Sequence, residues 1–214
     1  MNSVQRIVIV GGGAGGISMA ASLLKRAATL DISIIEPSDK HYYQAGFTLV
    51  GGGCYSADSL IREEAKLMPR GVKWLKAAVS ELQPEGNSLL LDNGEQVNYD
   101  YLVLSPGLQL NWAGIEGLEE TIGRNGVSSN YSLPYARYTW QCLQNMKSGR
   151  ALFTQPPMPI KCAGAPQKIM YLAGHHWEKG GQLKDVDIEF HTATPALFGV
   201  PAFIPALETY IDRY

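Results

Sequence analysis

Residues 6–27 read RIVIVGGGAGGISMAASLLKRA. The first five form an unbroken, β-branched apolar run, the pattern of a strand covered on both faces. A glycine turn follows at once and opens a helix-forming stretch, which gives the spacing Gly11-x-Gly13-x-x-Gly16. Each glycine has a mechanical reason. Gly11 permits the tight turn, Gly13 lets a pyrophosphate approach the backbone, and Gly16 lets helix and strand pack closely, while the helix N-terminus offers N–H donors to the phosphates. A second apolar run, ISIIE, ends at Glu36, twenty residues after Gly16. An acidic side chain at that point can take ribose hydroxyls, so strand, helix, second strand and terminal acid together predict a dinucleotide site.

Composition narrows the remaining possibilities. The chain has 214 residues, 45% hydrophobic and 18% charged, with 23 glycines and a formal net charge of −2. These values describe an ordinary soluble globular protein of one to two domains and leave no charge footprint for nucleic acid. There is no run of about eighteen apolar residues, and a buried strand begins almost at the initiator without a basic leader, so a cytosolic protein is expected. Cys54, Cys142 and Cys162 are too few and too scattered for a disulfide framework or a zinc cluster. His175 and His176 are adjacent on one helix, and His41 and His191 have no second ligand at metal spacing, so no metal site is expected.

Residues 72–104 bear on which dinucleotide binds. VKWLKAAVSEL, NSLLLDNGEQVNYD and YLVLSPG read as short strands joined by turns at Pro84-Glu85-Gly86 and Asn93-Gly94. An antiparallel meander inserted into a doubly wound domain favours FAD over NAD, by analogy of architecture. A polar stretch follows, with helical spacing through Tyr138, Cys142, Leu143 and Met146. From about residue 150 a second βαβα unit starts: RALFTQ as a strand, GAPQKIMYLAGHHWEKG as a helix with Pro166 in its first turn, VDIEFHT as a strand and PAFIPALETYIDRY as a helix. The fold class is therefore α/β: a Rossmann-like FAD-binding domain with a β-meander insertion, plus the start of a second Rossmann-like unit. The expected divisions are 1–115, a connecting segment with a helix at 116–149, and 150–214.

Cys162 falls at the turn between the first strand and first helix of this second unit. Pro157, Pro159 and Lys161 make a phosphate cradle there implausible, so the second unit is expected to have given up nucleotide binding. Two readings of the thiol stay open. It is a small buried hydrophobe, or it is a reactive thiol whose anion is favoured by the helix N-terminus, by Lys161 and by Lys168 about one helical turn on.

VIVGGGAGGISMAA, IIEPSDKHYYQAGFTLVGGG, YLVLSPGLQL, GVSSNYS, PIKCAGAPQKIMYL and ALFGV together resemble the sulfide:quinone oxidoreductase family, in its mitochondrial type. The resemblance implies an FAD enzyme that oxidises hydrogen sulfide at a redox pair of cysteines and passes electrons to quinone. It further implies that an acceptor such as sulfite or glutathione takes the sulfane sulfur. Cys162 matches the family's first catalytic cysteine, the one that carries the persulfide. Ala14 and Gly15 match the pyrophosphate turn, Glu36 the ribose acid, Gln44 a flavin-side contact, Val79 an adenine-side contact and Gly107 the second flavin-contacting strand end.

Family members are longer, and their second catalytic cysteine, third flavin-binding segment, quinone pocket and membrane-contacting helices lie in the later half. The chain is accordingly expected to be an N-terminal portion. Neither Cys54, on a glycine-rich loop, nor Cys142, on an apolar helix face, fits the second role. An open parallel sheet exposes edges and predicts association, a homo-oligomer among the outcomes. The setting expected is the bacterial cytoplasm, with the parent protein peripheral on the inner membrane. Two other readings remain: a type II NADH dehydrogenase on the same scaffold, and a dinucleotide-binding fragment without catalysis.

Overall fold

The computed structural model describes residues 4–27 and 29–214. The chain forms two compact units, Met1–Tyr43 with Ile61–Gln109, and Gln44–Leu60 with Leu110–Tyr214.

In the first unit, β1 (Arg6–Val10) leads through the glycine turn into α1 (Ala14–Arg26) and then β2 (Asp31–Ile35). A short antiparallel pair, β3 (Lys40–Tyr42) and β4 (Ile61–Glu63), sets His41 opposite Arg62. The remaining strands are β5 (Lys73–Leu75), β6 (Val79–Gln83), β7 (Ser88–Leu91), β8 (Gln96–Asn98) and β9 (Tyr101–Leu104). The main sheet is parallel, in the order β5-β2-β1-β9, with Val8 opposite Ser33 on one side and Leu102 on the other.

The apolar run of β1 is continuous because the strand buries both faces. Ile7 and Ile9, with Ile32 and Ile34 of β2, pack on Ala20 and the apolar stripe of α1. Val8 and Ile35 point the other way and pack against Ala77, Leu89, Leu91 and Tyr99. Those partners belong largely to the expected meander, β6-β7-β8, which is antiparallel and turns at 84–86 and at Gly94, whose φ is +86°. VKWLKAAVSEL departs from the single strand expected. It splits at 76–78, where Ala77 is buried and the Ala78 N–H donates to Asp92, so β5 joins the parallel sheet and β6 joins the meander.

The second unit contains α2 (Phe47–Gly51), α3 (Leu118–Thr121), α4 (Leu133–Asn145), β10 (Gly149–Gln155), α5 (Ala165–Gly180), β11 (Val186–Thr192) and α6 (Ile204–Arg213). β10 and β11 pair in parallel, with Leu152 opposite Glu189, and α5 connects them. Pro166 sits in the first turn of α5, where its missing N–H costs no helical bond. Ile169, Ala173 and Trp177 form the buried stripe of α5, and they pack with Leu143 of α4, Ala151 of β10 and Val186 of β11. Trp177 is fully buried, and its indole N–H donates to the Leu143 carbonyl at 3.1 Å. That bond satisfies the one polar atom of the largest core side chain.

Candidate functional site: a glycine cradle and a cysteine turn

The cradle lies where β1 hands over to α1. Gly11 has φ +101°, and a side chain there would run into the Ser105 carbonyl oxygen; a side chain at Gly16 would run into the Gly11 carbonyl. These two glycines are required by the protein itself. Gly13 differs, because its φ of −67° suits any residue and a Cβ there would meet nothing within 4 Å. Gly13, Ala14 and Gly15 are exposed at the head of a thirteen-residue helix that has no acidic residue in its first turn and no side-chain cap. The first-turn amides lack helical acceptors, so they are available as donors for an anion.

Glu36 closes one side of this turn. Its Oε2 accepts the Gly12 N–H at 2.9 Å and its Oε1 accepts the Ser38 N–H at 2.8 Å. Each oxygen keeps a second lone pair, enough for the hydroxyls of a ribose. The main chain of Glu36 is itself held, with its carbonyl accepting the Trp74 indole N–H at 2.8 Å and its N–H donating to the Leu75 carbonyl at 3.0 Å. Ser105 stands over the start of α1, 2.5 Å from where a Gly15 side chain would project, and beyond it Gly107 has φ +78° and is exposed. Val79 is half-buried and packs against the Val8–Leu89 cluster.

Sequence reasoning missed Glu64. It is 1% exposed, its Oε2 lies 3.4 Å from His41 Nδ1, and its Oε1 has no hydrogen-bond partner. Oε1 also lies 2.6 Å from where a Gly12 side chain would stand, so glycine is required at that position too. Burial raises the Glu64 pKa; His41 opposes that shift and the Glu36 charge adds to it. The only signal in the sequence is an acidic pair, REEAK, which reads as solvated surface.

The cysteine turn belongs to the second unit. Cys162 is exposed, which removes the reading of it as a buried hydrophobe. Its φ is +53°, in the left-handed region that cysteine seldom adopts. The Cys162 carbonyl accepts two bonds, from the Ala165 N–H at 3.0 Å and from the Tyr131 hydroxyl at 3.2 Å. Burial, with the Cys162 charge adding to it, pushes the Tyr131 phenol up to about 12, so the hydroxyl keeps its proton for that bond. Lys161 is half-buried and donates to Gln44 Oε1 and to the Tyr131 carbonyl, each at 3.0 Å. Gln44 is thus brought to Lys161, and Lys168 is exposed on α5. Cys54 is exposed and Cys142 is partly buried. The other histidines have local partners: His175 faces Glu178, His191 faces Glu189, and His176 packs edge-on against Trp140.

Residues 5–134 match the family pattern of pyridine nucleotide-disulphide oxidoreductases. The chain belongs to that family. As a family member it is 41% identical over 205 residues to the mitochondrial sulfide:quinone oxidoreductase of Mus musculus, covering 96% of this chain and 46% of that protein. It is 42% identical over 210 residues to the mitochondrial sulfide:quinone oxidoreductase of Dictyostelium discoideum, covering 97% of this chain and 46% of that one. The crystal structure of the sulfide:quinone oxidoreductase from Aquifex aeolicus superposes with a TM-score of 0.82 at 21% identity, over 98% of this chain and 49% of that one. The chain spans about half the length of the curated relatives it matches.

Three curated relatives named as mitochondrial proteins overturn the expected bacterial cytoplasmic setting. The opening residues of a chain that spans half of its relatives carry no information on location. The cofactor of this pyridine nucleotide-disulphide oxidoreductase family is FAD. The cradle fits such a group: open space at Gly13, uncapped amides in the first turn of α1, and an acid at the end of β2.

Proposed function

We propose that this chain carries the FAD-binding cradle and the first reactive cysteine of a sulfide:quinone oxidoreductase. The observation behind this reading is Cys162: an exposed thiol on a left-handed turn, its carbonyl held twice, in a chain more than 40% identical to two proteins of that name. Gly11 and Gly16 shape the cradle, and Gly13, Ala14 and Gly15 offer it to the pyrophosphate. Glu36 takes the ribose, while Val79 lies on the adenine side and Gly107 on the flavin side. Gln44, tied to Lys161, also serves the flavin side. FAD, when bound, supplies the two-electron acceptor that links sulfide to quinone.

The part of Cys162 is to exchange sulfur. Hydrosulfide attacks a disulfide between Cys162 and a second cysteine; one S–S bond forms as another breaks, and the partner leaves as a thiolate. Cys162 then holds the persulfide, which sulfite or glutathione removes. The turn supports this by keeping the thiol in water. NADH oxidation is disfavoured as the chain's activity because the turn from β10 into α5 carries Pro157, Pro159 and Cys162 in place of a glycine cradle.

The test is the visible flavin spectrum of the purified chain before and after anaerobic sulfide, with a Cys162→Ser control. Bound flavin whose spectrum responds to sulfide only when Cys162 is present supports the proposal. Bound flavin that responds equally in the Ser variant refutes the role of Cys162. A chain that holds no flavin refutes the cradle and leaves a non-catalytic fragment.

A further inference from the structure

Lys161 stands beside a reactive-looking cysteine, yet its ammonium is bonded elsewhere. It crosses the unit to Gln44, 117 positions away in sequence, and to the Tyr131 carbonyl, 30 positions away. Two aromatic faces wall it in, Phe47 at 5.7 Å and Tyr131 at 5.6 Å from ring centre to nitrogen, within cation–π range. Burial lowers its pKa, and the charge of Cys162 opposes that fall. An exposed lysine would have no reason to accept this desolvation; here two oxygens and two rings replace the water.

The second half of the arrangement runs back to the cysteine. Tyr131, whose carbonyl holds Lys161, donates its hydroxyl to the Cys162 carbonyl. A closed ring results: Cys162, its peptide bond to Lys161, the ammonium, the Tyr131 main chain, the Tyr131 ring, and Cys162 again. A cysteine at φ +53° needs such support, because a left-handed backbone persists only when its surroundings over-determine it. We propose that Lys161 is the positioning residue of the cysteine turn, locking Cys162 through Tyr131 while its charge stays close to the thiol. The proposal rests on reading Cys162 as the reacting thiol.

The test measures alkylation of Cys162 by iodoacetamide, resolved by peptide mass spectrometry, from about pH 6 to 9, with Cys54 and Cys142 as internal controls. Lys161→Met is expected to slow Cys162 alkylation about tenfold across this range, while Lys161→Arg recovers most of the rate. The profile of Cys54 stays unchanged. A Met variant that superimposes on the natural protein overturns the proposal, as does an Arg variant no better than Met. If Met unfolds the chain, Tyr131→Phe decides through hydrogen exchange. Exchange about tenfold faster in residues 159–165, with the centre of α5 unaffected, upholds the ring, and unchanged exchange overturns it. No sulfide is used, so a Cys162 that takes no sulfur yet answers to Lys161 removes the proposed function and leaves this inference standing.

Discussion

His41 Nδ1 lies 3.4 Å from Glu64 Oε2, beneath the glycine turn, while Glu64 Oε1 has no partner. A carboxylate with one bare oxygen in the interior is a liability once ionised. Its folded pKa is raised, chiefly by burial. Stability from that shift is complete below the unfolded value of about 4.5 and is lost as pH rises through the folded value. Glu64→Gln should therefore match the natural chain near pH 4 and exceed it by about 1 kcal/mol at pH 8, read from urea midpoints. A variant less stable at pH 8 than at pH 4 relative to the natural chain would show that the His41 pairing dominates instead.

The cradle glycines should separate by substitution to alanine. Gly16→Ala forces a methyl onto the Gly11 carbonyl oxygen and is expected to cost about 3 kcal/mol of stability. Gly13→Ala meets nothing and should cost less than about 1 kcal/mol, yet it fills the space where a pyrophosphate would approach. Thermal melts paired with flavin content check both. A Gly13→Ala chain that keeps its full flavin content would sink the assignment of that space to phosphate.

Trp177 anchors the second unit. Trp177→Ala empties the largest buried site and leaves the Leu143 carbonyl without its donor, so a loss of about 4 kcal/mol is expected. Trp177→Phe keeps much of the volume but not the hydrogen bond and should fall between the two. Denaturant titration of the three chains gives the order, and equal losses would mean that the hydrogen bond alone matters.

Arg6 and Asp100 clamp the starts of β1 and β9. The guanidinium reaches both carboxylate oxygens, Nη2 at 2.8 Å and Nε at 3.2 Å, and the Arg6 N–H adds a bond at 2.7 Å. These bonds hold the Asp100 pKa down to about 2. A depressed value places the stabilisation above the unfolded pKa and removes it as pH falls toward about 2. Asp100→Asn should lower the melting temperature slightly at neutral pH, and the gap should close on acidification. A gap that stays constant down to pH 2 would assign the loss to packing.

How much of this was legible beforehand follows from where each signal sits. RIVIV, the glycine spacing and ISIIE carry their structure locally, through apolar runs and a backbone that only glycine tolerates, and β1, α1 and β2 appear as expected. The meander was visible in its turns, but β5 was not separable from β6, because the burial of Ala77 that divides them comes from strands elsewhere. Glu64 was hidden for the same reason: nothing in REEAK tells a buried acid from a solvated one. The turn at Cys162 was half legible. Its place before α5 was readable, while its exposure and left-handed backbone depend on Tyr131 and Lys161, which no local pattern couples to it.

The chain passes between its two units three times, after Tyr43, after Leu60 and after Gln109. No single cut can therefore release either unit whole. A piece ending at residue 109 would keep the cradle but strand Phe47, Val50 and Leu60, buried residues of a segment that belongs to the other unit. Such a piece should be sticky for a reason unrelated to its own sheet. In folding, the first unit must close its sheet around a seventeen-residue excursion, Gln44–Leu60, whose apolar partners are made later. The polypeptide thus ties the assembly of the cradle to that of the cysteine turn before any ligand binds to either.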